Sequence, residues 1–173
     1  MKTDKIILGV DPGTSITGYG IIRVVGKELS IITLGVIELS KYRDHYLKLK
    51  NIFESILRLI ESYKPDEFAI EAPFYGKNVQ SMLKLGRAQG VAMSAALSRS
   101  IPIFEYSPKK IKMAITGNGN ASKEQVAGFL KSMLKFENPT DTFDATDGLG
   151  AAVCHYYQNK YQWPRFGFFT QSG

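Results

Sequence analysis

Ile6-Ile7-Leu8-Gly9-Val10-Asp11-Pro12-Gly13-Thr14-Ser15-Ile16-Thr17-Gly18-Tyr19-Gly20 decides how the rest of this 173-residue chain is read. A short apolar run rich in β-branched residues reads as a buried strand, and the Asp-Pro-Gly that ends it reads as a tight turn. Asp11 is thereby delivered to the end of a central strand. Glycines at 13, 18 and 20 remove bulk around that carboxylate, so the stretch predicts room for a phosphate backbone or a metal ion. An ordinary Asp-Pro-Gly turn uses the same residues, so the reading needs partners elsewhere in the chain.

Outward from this turn, Tyr19–Val25 and Leu29–Leu39 are β-rich stretches joined by Gly26-Lys27-Glu28, which predicts an antiparallel meander of three strands. Between Asp44 and Tyr63 the period changes. Ile52, Phe53, Ile56, Leu57 and Ile60 recur at helical spacing, and Lys64-Pro65 stops the helix. Phe68-Ala69-Ile70-Glu71 is a second strand that hands an acid to its end. Asn78–Arg99 reads as a long helix whose small residues, Gly86, Ala88, Gly90, Ala92, Ala95 and Ala96, predict a face open to close backbone approach. Ile101–Tyr106 is a fifth strand, and its order after a helix implies parallel crossovers. Ser107-Pro108 opens a short helix through Ile115. Ser122 caps the next, with Val126, Phe129, Leu130, Met133 and Leu134 on its apolar side, and a last helix runs from about Thr142 to Asn159. Asp141 reads as a capping residue. Residues 1–159 thus read as a single domain, and the aromatic stretch 160–173, broken by Pro164 and two glycines, as an irregular tail.

Composition narrows the chemistry. Lys plus Arg exceed Asp plus Glu by six, which favours a polyanionic partner such as nucleic acid. Cys154 is the one cysteine, so neither a disulfide framework nor a Cys/His metal site is available. Met1–Lys5 lacks the apolar run of a signal peptide and no stretch reaches membrane-spanning length, so a cytoplasmic location is expected.

The last helix opens with Asp144-Ala145-Thr146-Asp147. Carboxylates three apart share a helix face, although acids in a first turn also complement the helix dipole with no further role. Four acids at two strand ends and one helix start, in a basic chain, suit a hard cation that takes oxygen ligands, which is what activating water against a phosphodiester requires. Two such ions, about 3.5 to 4 Å apart, would stabilise the attacking and leaving oxygens of an in-line displacement. No histidine is needed, and His45 and His155 read as satisfied surface or core residues.

Gly9-Val10-Asp11-Pro12-Gly13 with Thr17-Gly18-Tyr19-Gly20, Ala69-Ile70-Glu71 with Ala88-Gln89-Gly90-Val91, and Asp144-Ala145-Thr146-Asp147 together resemble the RuvC family of Holliday-junction resolvases, over nearly the whole chain from Ile6 to about His155. The resemblance implies an α/β, ribonuclease H-like fold: a five-stranded mixed sheet, three strands antiparallel and two parallel, with helices on both faces. It implies Asp11, Glu71, Asp144 and Asp147 as catalytic, metal-binding acids. It further implies Mg²⁺, with Mn²⁺ as a substitute and two ions per site, and a homodimer that nicks two strands of a four-way DNA junction to leave 5′-phosphate and 3′-hydroxyl ends. RuvA and RuvB are the partners it implies. Where the family carries alanines in the last helix this chain has Thr146, Gly148 and Gly150, and helix-interior glycines predict a looser metal-bearing turn.

DNA contacts are expected from Lys77, Lys84, Arg87, Lys109, Lys112 and Lys123, which flank the acids, with family support for Lys112 and Lys123. Lys110 reads as a solvated charge. The family's aromatic beside the branch point corresponds to Phe74, which would stack on an unpaired base, whereas Tyr75 reads as packing. The small-residue face of the 78–99 helix is the expected dimer contact. Two other readings compete. An actin-like or sugar-kinase ATP-binding domain shares the topology and an Asp-x-Gly-Thr loop, but needs a second phosphate loop that the chain lacks. The other is a non-catalytic DNA-binding module of the same fold.

Overall fold

In the computed structural model, residues 4–72, 76–137 and 143–159 are described. Phe74, Tyr75, Asp141 and the tail 160–173 lie outside them. The elements follow as β1 (Asp4–Asp11), β2 (Ile16–Val25), β3 (Glu28–Glu38), α1 (His45–Tyr63), β4 (Glu67–Glu71), α2 (Val79–Leu97), β5 (Ile103–Tyr106), α3 (Pro108–Thr116), α4 (Lys123–Leu134) and α5 (Asp144–Asn159). One sheet of order β3-β2-β1-β4-β5 carries them, antiparallel across β1–β2–β3 and parallel across β1–β4–β5. The expected mixed sheet, ribonuclease H-like in its strand order, is what the chain forms.

Helix boundaries fall where side chains satisfy the free end groups. Asp44 accepts from the Tyr46 amide, Asn78 from Ser81, Ser107 from Lys110 with Pro108 at the first helical position, and Ser122 and Gln125 form a reciprocal capping box. Each strand's alternation then loads two layers. Leu8, Val10, Ile21, Phe68 and Ile70 meet Ile52, Ile56 and Ile60 of α1 and the alanines of α2. Ile7, Ile22, Val24 and Ala69 meet α3, α4 and α5 on the other face.

Two expectations need correction. The small residues of α2 do not form one face. Ala88, Ala92, Ala95 and Ala96 are buried against α1 and the sheet, while Gly86 and Gly90 face open space on a separate stripe with Val79, Leu83 and Leu97, which are 69, 51 and 61% exposed. On α4, Phe129 is half exposed and Ala127 is buried in its stead, because the buried side of this short helix closes over Val126, Ala127 and Leu130.

Candidate active site

Register brings the first two acids together. β1 and β4 run parallel with Val10 opposite Ile70, so Asp11 and Glu71 occupy the next position on neighbouring strands and, by alternation, the face that carries Ile7 and Ala69. A local lock holds the turn after Asp11. Thr17, fully buried, accepts from the Gly13 amide at 3.2 Å and donates to the Gly13 carbonyl at 3.3 Å. A Cβ on Gly13 would stand 2.0 Å from the Ile16 carbonyl oxygen, so only glycine closes this turn.

The second pair arrives on α5, and the glycines explain how. Gly18 pairs with Asp11, and a Cβ there would lie 1.7 Å from the Asp144 carbonyl oxygen. A Cβ on Gly20 would lie 2.5 Å from the Leu149 Cα, and one on Gly9 would lie 2.4 Å from the Gly148 carbonyl oxygen. Space around Asp11 at Gly18 and Gly20 is therefore filled by the backbone of α5, not held open for a phosphate or an ion, which corrects the expectation drawn from those glycines. The looser first turn is corrected likewise. A Cβ on Gly148 would lie 2.5 Å from the Gly18 and Tyr19 backbone and one on Gly150 would lie 3.3 Å from the Ile111 and Ile115 side chains, so both glycines are closely packed. The Thr146 hydroxyl donates to the Phe143 carbonyl at 2.7 Å and the Asp147 amide to the same oxygen at 2.8 Å, closing that turn.

Asp11, Glu71 and Asp147 line one narrow cleft of about 70 Å³ with Lys112, Lys123, Pro108, Ile111, Val126 and Gly150. Asp144 is not among the lining residues, but its charge acts on Asp11, Asp147 and Lys123. Burial, then the charge of Asp147, pushes the Asp11 carboxyl up to about 7. Burial, then Asp11 and Asp147, pushes Glu71 up to about 8. Asp147 is also raised, mainly by burial, against the opposing pull of Lys123, whose ammonium lies 2.7 Å from its Oδ2. Burial alone would lower Lys123, but its bond to Asp147 and the field of Asp11 and Asp144 raise it.

This donor set fits a hard divalent cation in chemistry: every candidate ligand is a carboxylate, the carboxylates repel one another in a desolvated cleft, and one ammonium already answers part of that repulsion. Among the described residues, no three His, Cys, Asp or Glu side chains close on a single point. The Lys123 ammonium, bonded to Asp147, lines the same cleft.

The basic residues divide. Lys112 and Lys123 line the cleft, and Lys112 with Lys109, Ser107, Pro108, Gly119 and Asn120 lines a groove of about 520 Å³ that continues from it. Lys77 is exposed two residues before α2. Lys84 and Arg87 stand apart, exposed on α2, where burial first and then their charges with that of Lys48 hold the His45 imidazole below its ordinary pKa. Lys110 is exposed but lies over the Tyr106 ring at 5.5 Å. His155 is a core residue, as expected. Sequence reasoning missed Thr17 and the Gly119-Asn120 side of the groove. The four-residue step from Gly13 to Thr17 was the available signal for the first, whereas nothing local marks the second. A larger cleft, about 440 Å³, lies between α1 and the β2–β3 side and includes none of the acids.

The family described as crossover junction endodeoxyribonuclease RuvC matches residues 7–155. Curated relatives of that description include one from Christiangramia forsetii, 65% identical over 92% of this chain and 83% of its own, and one from Bacteroides fragilis, 66% identical over 90% and 84%. Among solved structures, Thermus thermophilus RuvC in complex with Holliday junction substrate superposes with a TM-score of 0.83 at 24% identity, covering 91% of this chain and 96% of that one.

Proposed function

The chain belongs to the RuvC family of crossover junction endodeoxyribonucleases, and on that premise we propose that it is a structure-selective endonuclease that resolves four-way DNA junctions in recombination and repair. The observation that carries this reading is the meeting of Asp11, Glu71 and Asp147, with Asp144 one helical turn away, in a cleft that opens past Lys112 into a basic groove. Residues 1–159 form the nuclease domain in this reading, with 160–173 as an appended tail.

Asp11, Glu71, Asp144 and Asp147 would hold Mg²⁺, or Mn²⁺ in its place, as two ions per site. When bound, the metal supplies Lewis-acid charge on a phosphoryl oxygen and a nucleophile derived from water at neutral pH. The chain's own residues supply the rest. Asp11 and Glu71 are rigid donors because each ends a hydrogen-bonded strand, and Asp144 and Asp147 are rigid because α5 is seated on backbone. Lys112 and Lys123 neutralise phosphate oxygens at the cleft, and Lys109 continues that track along the groove. Lys123 exchanges its bond with Asp147 for substrate phosphate in this scheme. Lys77, Lys84 and Arg87 contact more distant phosphates, and Phe74 stacks at the branch point.

Cleavage of paired strands needs two sites. The exposed stripe of Val79, Leu83, Gly86, Gly90 and Leu97 suits a second copy of this chain, since glycine permits close helix crossing between apolar flanks. RuvA and RuvB are the branch-migration partners proposed, and the cytoplasm the compartment. No helix among the described residues is long and apolar enough to cross a membrane.

A synthetic four-way junction incubated with and without Mg²⁺ tests the reading. Symmetric nicks with 5′-phosphate ends that T4-type ligation seals are expected only with metal. Junction binding without metal-dependent nicking would reduce the protein to a DNA-binding module.

A further inference from the structure

On the same face as the acids, a second polar group is buried where the proposed chemistry does not use it. The His155 imidazole, 1% exposed, stands on α5 between the two parallel strands. Its Nε2 lies 2.8 Å from Glu67 Oε2 at the start of β4, and its Nδ1 lies 2.6 Å from the Tyr106 hydroxyl at the end of β5. The ring packs on Phe104 with centroids 4.2 Å apart. Lys5 of β1 bonds the other Glu67 oxygen. The Asn159 amide donates to the His155 carbonyl at 2.8 Å and to Nδ1 at 3.0 Å, so Nδ1 accepts and Nε2–H donates to Glu67.

Asp144, Asp147, Ala151 and His155 are spaced three, four and four apart, which places them on one stripe of one helix. The stripe has two different supports. Its N-terminal half rests on β1 and β2 through Gly9, Gly18, Gly20 and Gly148, contacts that set how closely the helix approaches the sheet. Leu149, Ala152 and Val153 add apolar contact with Ile7, Ile22 and Val24, and the Tyr156 hydroxyl donates to the Lys27 carbonyl at 3.0 Å, which ties the helix toward β2 and β3. The imidazole is the polar key toward the other half of the sheet, because it bonds β4 on one side and β5 on the other. Tyr106 is also the register partner of Glu71, so the strand end that holds His155 is the one that flanks a proposed ligand.

We propose that His155, gripped between Glu67 and Tyr106, is a positioning residue that sets where Asp144 and Asp147 stand against Asp11 and Glu71. This rests on the reading of those four acids as a cation pocket. Along a hydrogen-bonded helix a shift at His155 is carried to Asp147 two turns away, and partners bonded directly to metal ligands contribute about 10- to 100-fold in metal affinity, which sets the upper scale for this effect.

Tyr106→Phe removes one hydroxyl, and His155→Gln keeps a donor toward Glu67. Cys154→Ala, which empties a buried volume on the same turn without touching these bonds, is the structural control. Each is titrated with Mn²⁺ by calorimetry at 25 °C, and its single-turnover junction cleavage and metal-free junction affinity are measured. Both bond-breaking variants are expected to need more Mn²⁺ for half-saturation, by up to about 10- to 100-fold, and to cleave correspondingly slower, with the rate recovering at high Mn²⁺ and junction affinity unchanged. Cys154→Ala is expected to melt earlier with wild-type Mn²⁺ affinity. Should the first two variants melt earlier yet titrate and cleave like wild type, His155 is merely structural and the proposal fails while the cation pocket stands. Wild-type protein that takes up no Mn²⁺ overturns the pocket and this proposal together. If His155→Gln does not fold, Tyr106→Phe alone decides.

Discussion

The two faces of the sheet are packed by different means. Toward α1 and α2 the contact is side chain on side chain, with Ile52, Ile56 and Ile60 and four alanines against Leu8, Val10, Ile21, Phe68 and Ile70. Toward α5 side-chain packing is joined by close backbone contact at the end that bears the acids, through Gly9, Gly18 and Gly20 below and Gly148 above, with His155 as a polar key. Side-chain layers accept exchanges of similar volume, because neighbours repack. A backbone seat leaves no atom free to adjust. The proposed catalytic acids ride on the unforgiving face, and that is where a functional site needing sub-ångström placement gains from rigidity.

The largest effect expected on this contrast is chemical. Asp11→Asn should lower Mg²⁺-dependent nicking by more than about 10³-fold, since several kcal/mol of charge stabilisation depend on a full ligand set. Junction binding in a gel-shift assay should stay within a few-fold of wild type. Retained cleavage would remove Asp11 from the set.

Next in size, Gly18→Ala forces a methyl to within 1.7 Å of the Asp144 carbonyl oxygen and should destabilise by about 3 kcal/mol or more in urea unfolding, with cleavage lost at temperatures where the fold persists. Ile56→Val, in the other layer, should cost about 0.5 to 1.5 kcal/mol and leave cleavage unchanged. Equal effects of the two on cleavage would erase the distinction between the faces.

A third test uses protons. Asp11 and Glu71 titrate near 7 and 8 in the folded protein, above the ordinary carboxyl range, so the folded state holds protons that the unfolded chain releases near pH 4. Their contribution to stability is full below about pH 4 and is lost as pH rises through 7 to 8. Mg²⁺ must displace those protons, so its half-saturating concentration should fall from pH 6 to pH 8.5 while the melting temperature it restores grows. Scanning calorimetry of wild type and Glu71→Gln with and without Mg²⁺ checks the sign, and the variant should lose the Glu71 share of the dependence and keep that of Asp11.

The smallest effect on the fold is expected at α2. Gly90→Leu meets open space, so the monomer should keep its stability within about 0.5 kcal/mol, yet sedimentation should show a dimer turned monomer. A variant that stays dimeric would move the interface elsewhere.

Local pattern was enough to find the elements and to mark the acids. The β-branched run into Asp11-Pro12-Gly13, the Ser and Asn caps, and the Asp144–Asp147 spacing are decided by residues a few positions apart, which is the range over which propensity, capping and turn chemistry act. What those residues meet across the chain is decided only on folding. Gly18 reads the same whether an ion, a phosphate or a helix fills the space beside it, and it is Asp144, 126 positions later, that does so. Gly86 and Ala88 look alike as small residues, and the rotation of α2 against α1 alone sends one to solvent and the other to the core. His155 carries no local mark of its bonds to Glu67 and Tyr106, because contacts 88 and 49 residues apart in sequence depend on how β4, β5 and α5 stack. Sequence by itself determined which groups this protein has for its chemistry. Tertiary structure decided which of them share a cleft and how firmly, since steric contact and low-dielectric burial act through space and not along the chain.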